Sequence, residues 1–180
     1  MQNEMELTCN CGQVVMQFRG KPILSAECLC SDCQKAGAFL QKLPGAPAVL
    51  DDKSATPFVL YRKDRVRCLK GAELLREYRL TQASKTRRVI ASCCNTPVLL
   101  EFSGGHWVSV FGVLWPEGTL PPPELRTMTK EAPEDVILPP DIPNPKTHTF
   151  GFYAKLFGAW AGMGFRAPKI DYVKGSIDAC

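Results

Sequence analysis

No stretch of eighteen consecutive apolar residues occurs in this chain, which excludes a membrane-spanning helix. Histidine is scarce. Its two residues are isolated, His106 in a Gly-Gly-His-Trp turn and His148 in a proline-rich stretch, so each is expected at the surface and not as a ligand. Charge of one sign is also lacking in bulk: 22 Lys plus Arg against 18 Asp plus Glu leave a net +4, too little to imply nucleic acid by itself. The start, Met1 to Glu6, is polar and acidic with no apolar stretch behind it. A secretory signal is therefore not expected, and the expected compartment is the cytoplasm, where thiols stay reduced. Internal repeats and low-complexity segments are missing as well.

Against these absences stand nine cysteines in 180 residues, at 9, 11, 28, 30, 33, 68, 93, 94 and 180. Seven of them fall in three tight clusters. In a reducing compartment such clustering points to metal ligation or redox chemistry. Cys28, Cys30 and Cys33 can converge on one metal if the backbone turns between them. Three protein ligands leave the fourth tetrahedral position open, as in a catalytic zinc site. That position suits water or a soft substrate thiolate. A Cys-X-X-Cys redox pair at Cys30 and Cys33 is the alternative. Cys9 and Cys11 with Cys93 and Cys94 make four thiols, enough for a closed structural zinc joining two distant hairpins. Ordinary buried cysteines are the alternative there. Cys68, among apolar neighbours, is expected in the core, and Cys180 is expected to be free. One or two Zn2+ per chain follow.

Hydrophobic residues make up 45% of the chain, which supports a core in one domain of ordinary size. The patterning is mainly β. A strand pair is expected over residues 7–20 around Cys11-Gly12, and a short helix from Cys33 to Leu40. Pro, Ala and Asp mark 44–57 as a loop. Strands are expected at Phe58–Tyr61, Arg65–Leu69 and Leu74–Leu80, and at Arg88–Ala91 with Pro97–Phe102 as a hairpin around the last cysteine pair. Trp107–Leu114 follows as a further strand. Alternation at 65–68 puts both arginines on one face and Val66 and Cys68 on the other. Residues 116–145, with Pro121-Pro122-Pro123, Pro139-Pro140 and Pro143-Asn144-Pro145, read as an extended strap anchored by Val136-Ile137-Leu138. Phe150 to Phe165 reads as a helix whose face of Phe150, Tyr153, Phe157, Trp160 and Ala161 docks on the core; a homodimer or a membrane-surface role is the alternative. The division expected is a zinc-binding β domain over 1–115, with strap and helix over 116–180 packed on it.

Cys9-Asn10-Cys11-Gly12, then Cys28-Leu29-Cys30-Ser31-Asp32-Cys33-Gln34, then Cys94-Asn95-Thr96-Pro97-Val98 resembles the glutathione-dependent formaldehyde-activating enzyme (Gfa) family, which includes centromere protein V-like proteins. Gly71 and Tyr78 fit its spacing, and the resemblance spans roughly residues 7–114. It implies an Mss4-like fold of coiled antiparallel β-sheets. It also implies a structural zinc on the first and last cysteine pairs and a catalytic zinc on the middle cluster. The chemistry implied joins formaldehyde to glutathione as S-hydroxymethylglutathione, a carbon–sulfur lyase reaction in reverse. Departures are visible. The family's Cys-X-X-Cys-Gly-Thr knuckle would start at Ala91, which binds no metal, so Cys93 is the candidate replacement. Asn95 stands for the glycine, and Leu29 for the usual histidine between the first two middle cysteines.

The leading functional expectation is therefore zinc-dependent carbon–sulfur chemistry on a small thiol, such as glutathione, and a carbonyl compound, with Cys28, Cys30 and Cys33 at its centre. The run from Tyr61 to Arg88 holds ten basic and three acidic residues, a local 10 − 3 = +7. It could bind thiol carboxylates or simply form a solvated face. Asp32 is nearest in sequence to act as a base, but an Asp there is usually a turn residue. A zinc-stabilised binding module without catalysis is the alternative. Nucleic-acid binding is disfavoured by the few interleaved aromatics.

Overall fold

The computed structural model describes residues 4–177; Cys180 lies outside them. Ten strands and two α-helices are present among the described residues. β1 (Glu4–Thr8), β2 (Val15–Arg19) and β5 (Val66–Lys70) form a three-stranded sheet in the order β1-β2-β5. The second sheet contains β3 (Leu24–Cys28), β4 (Thr56–Arg62), β6 (Leu75–Tyr78), β7 (Thr86–Ala91), β8 (Thr96–Phe102), β9 (Trp107–Phe111) and β10 (Leu125–Thr127). Its order is β10-β3-β4-β9-β8-β7-β6. α1 spans Ser31–Leu40 and α2 spans Phe150–Ala161.

The large sheet is apolar on both faces because its strands alternate two apolar sets. Val59, Tyr61, Val108 and Val110 point to the small sheet and meet Leu7, Met16 and Phe18. Phe58, Leu60, Ile90 and Phe111 point the other way and are covered by Leu40 of α1 and Leu156 of α2. This second face carries the site described below. Gly71, expected from its spacing, sits at φ +76 with Gln13 O only 2.4 Å from where a Cβ would lie. Only glycine permits both that conformation and that approach.

Most expected elements are present, with four corrections. First, the strap is not free of strands. Residues 125–127 run parallel to β3, Leu125 against Ala26 and Thr127 against Cys28, so the sheet is not wholly antiparallel. Secondly, Val136-Ile137-Leu138 does not anchor the strap, since Ile137 is 91% exposed. Arg126 does so instead, bonding to Glu27, Asp141, Asn144 and the Pro139 carbonyl. Thirdly, α2 ends at Ala161 and turns most of its expected docking face outward, leaving Phe150, Tyr153 and Phe157 exposed. Leu156 is its one fully buried residue, while Trp160 stacks on His106 and Phe152 on His148. Helical period marks a face but not which face meets the core when all sides are apolar. Lastly, Cys68 is half-buried at the core margin, its Sγ 3.2 Å from the Lys70 carbonyl oxygen.

Candidate metal centres and adjoining cavity

Two sets of thiols converge, and they are the sets expected from sequence. The eight described cysteines are all free. In the first set the sulfurs of Cys9, Cys11, Cys93 and Cys94 all lie within 4.8 Å of one another. Cys9 Sγ is 3.6 Å from Cys11 Sγ and 3.8 Å from Cys93 Sγ, and Cys93 Sγ is 3.3 Å from Cys11 Sγ and 3.9 Å from Cys94 Sγ. A zinc with Zn–S bonds near 2.3 Å has tetrahedral S···S edges of about 3.8 Å, so this donor set fits a closed four-thiolate site.

Two turns build it. After β1 the chain folds so that Gly12 N donates to Cys9 O at 2.8 Å and Val14 N donates to Cys9 Sγ at 3.3 Å. After β7, Asn95 takes φ +53, a left-handed conformation asparagine tolerates. Thr96 Oγ1 locks the turns together, accepting from Asn10 N at 3.2 Å and lying 3.1 Å from Cys94 Sγ. Burial opposes a thiolate at Cys94, but the Thr96 hydroxyl and neighbouring backbone N–H groups hold its pKa down to about 6. Ala91, where the knuckle cysteine would stand, is wholly buried in β7, and the chain brings Cys93 into the gap instead.

The second set joins Cys28, Cys30 and Cys33, whose sulfurs also lie within 4.8 Å of one another. Cys28 ends β3. Cys30 is the N-cap of α1, its Sγ accepting from Cys33 N at 3.4 Å, and Cys33 sits in the first helical turn. The positive end of the helix and the donated N–H favour thiolate here. Side-chain hydrogen bonds from Cys28 and then Cys33 hold the Cys30 thiol far below its usual range, while the same contacts push Cys28 and Cys33 up. Three convergent thiols, with no fourth protein donor among the described residues, fit an open metal site. Leu29, at the usual histidine position, is fully buried, with its backbone N donating to Thr127 O at 3.0 Å. The strap closes over this cluster. Glu131 caps α1 through Ser31 N at 2.8 Å, and Gln34 Nε2 donates to the carbonyls of Leu29 and Glu131.

A cavity of about 420 Å³ opens beside Cys28, Cys30 and Cys33. Strands β4, β8 and β9 supply Phe58, Leu60, Leu100, Trp107 and Ser109 to its wall; β7 supplies Thr86 and Arg88. Segments beyond residue 115 supply Thr127, His148, Phe152, Tyr153 and Leu156. His148 was expected at the surface; instead it borders the cavity, Nδ1 2.8 Å from Thr127 Oγ1, and burial lowers its pKa. His106 was expected there too, yet it is buried, with Nε2 2.7 Å from the Leu156 carbonyl oxygen. Sequence spacing offered no sign of either role, since both depend on where α2 packs. Asp32 lines the cavity from the first turn of α1. Four of the ten basic residues of the run are consumed internally: Arg62 pairs with Asp64, Lys63 with Glu101, Arg79 with Glu77, and Arg87 with both Glu77 and Glu101.

Residues 4–46 match the model of the family described as glutathione-dependent formaldehyde-activating enzyme. That segment carries Cys9, Cys11 and the whole Cys28–Cys33 cluster. Over that segment the chain is similar to this family. The match spans about a quarter of the chain, and Cys93 and Cys94 lie outside it although the fold returns them to Cys9 and Cys11. No curated protein matches the chain. A Rhodobacter sphaeroides protein of known crystal structure is similar at 19% identity and TM-score 0.44, over 65% of this chain and 92% of that one. No helix of the chain, among the described residues, is long and apolar enough to cross a membrane.

Proposed function

We propose that this Gfa-like chain catalyses zinc-dependent carbon–sulfur chemistry, adding a small thiol to a carbonyl compound and reversing that addition. The carrying observation is the convergence of Cys28, Cys30 and Cys33 at the wall of a cavity, with a donor set that leaves one ligand position unfilled. Bound there, zinc would act as a Lewis acid and keep an incoming thiol deprotonated at neutral pH. The reaction forms one S–C bond, moves the thiol proton to the carbonyl oxygen and releases no leaving group. His148 is the proton carrier in this reading, since it borders the cavity and burial lowers its pKa. The apolar walls exclude water, which would compete with the thiol for the carbonyl carbon. Cys9, Cys11, Cys93 and Cys94 would hold a second, structural zinc.

A zinc-stabilised binding module without turnover is the second reading, favoured by the exposed Phe150, Tyr153 and Phe157 on α2. The two separate by measuring exchange of formaldehyde with a panel of thiols, by NMR, for the zinc-loaded chain and Cys30→Ser. Catalysis requires acceleration in the parent chain that falls to the uncatalysed rate in the variant, while zinc at the four-cysteine site persists. Equal inertness of both proteins refutes the catalytic reading.

A further inference from the structure

β7 reads Thr86-Arg87-Arg88-Val89-Ile90, and alternation sends its two arginines to opposite faces of the sheet. Arg87 meets two carboxylates, Glu77 and Glu101. Arg88 meets none among the described residues. It is 2% exposed, on the apolar face that carries the cavity. Its Nη2 donates to the Asp32 carbonyl oxygen at 3.1 Å, and its Nη1 has no partner among the described residues, neither oxygen nor sulfur. A buried guanidinium without a carboxylate is strongly unfavourable. A metal ion on three thiolates would leave that centre with a net charge of 2 − 3 = −1, which offsets the cation at a distance but gives Nη1 no acceptor. Among the described residues, Arg88 is also the only Lys or Arg bordering the cavity.

The remaining lining is unlike a peptide-binding site. Phe58, Leu60, Leu100, Trp107, Phe152 and Leu156 dominate it, with a few hydroxyls, the Asp32 carboxylate and the His148 ring between them. Glutathione carries two carboxylates, an ammonium group and two amides, and with Arg88 the only Lys or Arg in the described lining its second carboxylate is left without a guanidinium or ammonium partner. Unpaired polar groups buried on binding cost affinity.

We propose that the cavity binds a hydrophobic thiol bearing a single carboxylate, with the carboxylate on Arg88 and the hydrocarbon body against these apolar walls. This rests on the reading of thiol chemistry at Cys28, Cys30 and Cys33 and narrows its substrate class.

The test is calorimetric titration of the zinc-loaded full chain with 2-mercapto-3-phenylpropanoate, its methyl ester and glutathione, in the parent protein and in Arg88→Gln. The acid is expected to bind roughly tenfold or more tighter than either the ester or glutathione, the scale of a charge-assisted hydrogen bond. Arg88→Gln is expected to abolish the preference for acid over ester. The comparison in the parent protein needs no variant, so it stands even if Arg88→Gln misfolds. Equal binding of acid and ester, equal or tighter binding of glutathione, or a preference that survives in folded Arg88→Gln overturns the proposal. Cobalt-substituted protein reads the underlying chemistry separately. A sulfur-to-cobalt band that responds alike to all thiols, with or without carboxylate, overturns the substrate class and leaves thiol chemistry standing. A cobalt spectrum unmoved by any thiol, with 3-phenylpropanoate still bound through Arg88, overturns the thiol assignment and the proposed function together.

Discussion

Replacing Cys93 with serine tests whether the shifted cysteine completes the four-thiol site. Cys9 and Cys93 are 84 positions apart in the chain, and their sulfurs are 3.8 Å apart in the fold. A metal bridging them closes a loop of that length. By the loop-entropy relation for cross-links, such closure contributes about 4–5 kcal/mol by restricting the unfolded chain. Losing it from a chain of this size should lower the melting temperature by roughly 10–20 °C. A serine hydroxyl is a much weaker zinc ligand than a thiolate, so zinc content per chain should fall below that of the parent. The assays are elemental analysis of protein purified without added metal and scanning calorimetry before and after chelation. Chelation should destabilise the parent chain strongly and Cys93→Ser much less. Cys68→Ser, outside both clusters, is the control and should change neither quantity. Two zinc ions and an unchanged melting temperature in Cys93→Ser would refute the reasoning and return Cys93 to the ordinary buried cysteines.

Leu156→Ala should destabilise α2 locally by about 2–3 kcal/mol, because Leu156 is the helix's one fully buried residue. Hydrogen exchange should speed up across 150–161 and stay unchanged in β4 and β9; uniform acceleration through the sheet would contradict it. His106 supplies a pH test. Burial lowers its folded-state pKa below the usual 6.5, and Lys63 adds to this, although the Leu156 carbonyl opposes it. The unfolded chain therefore takes up a proton first, so this contribution is intact above about pH 6.5 and is lost as pH falls below it. His106→Phe should flatten that acid limb of stability relative to the parent chain in chemical denaturation; identical slopes would show that His106 does not set it.

Short-range chemistry determined much of this protein from the sequence alone. Cysteine spacing at 28, 30 and 33 forced a turn leading into a helix, because the Cys30 cap and the first-turn Cys33 are local features. Short apolar, β-rich runs marked β4 and the β7–β8 hairpin, since a strand covered on both faces of the large sheet is apolar nearly throughout. The pairing of Cys9 and Cys11 with the last cysteines was also legible, from the need of each pair for two more ligands. What only the tertiary structure decided depends on long-range packing. Arg88 sat unremarked in a basic run, and its isolation appears only once Arg87 takes the nearby carboxylates on the opposite face. His106 and His148 looked peripheral because neither lies near a cysteine in sequence; α2 and the strap carry them inward. The outward turn of Phe150, Tyr153 and Phe157 was illegible for the same reason: a helix with apolar residues on more than one side does not encode which side is covered. Local cysteine spacing thus marked the thiol clusters, while the cavity beside one of them was set by the docking of a strap and helix from beyond residue 115.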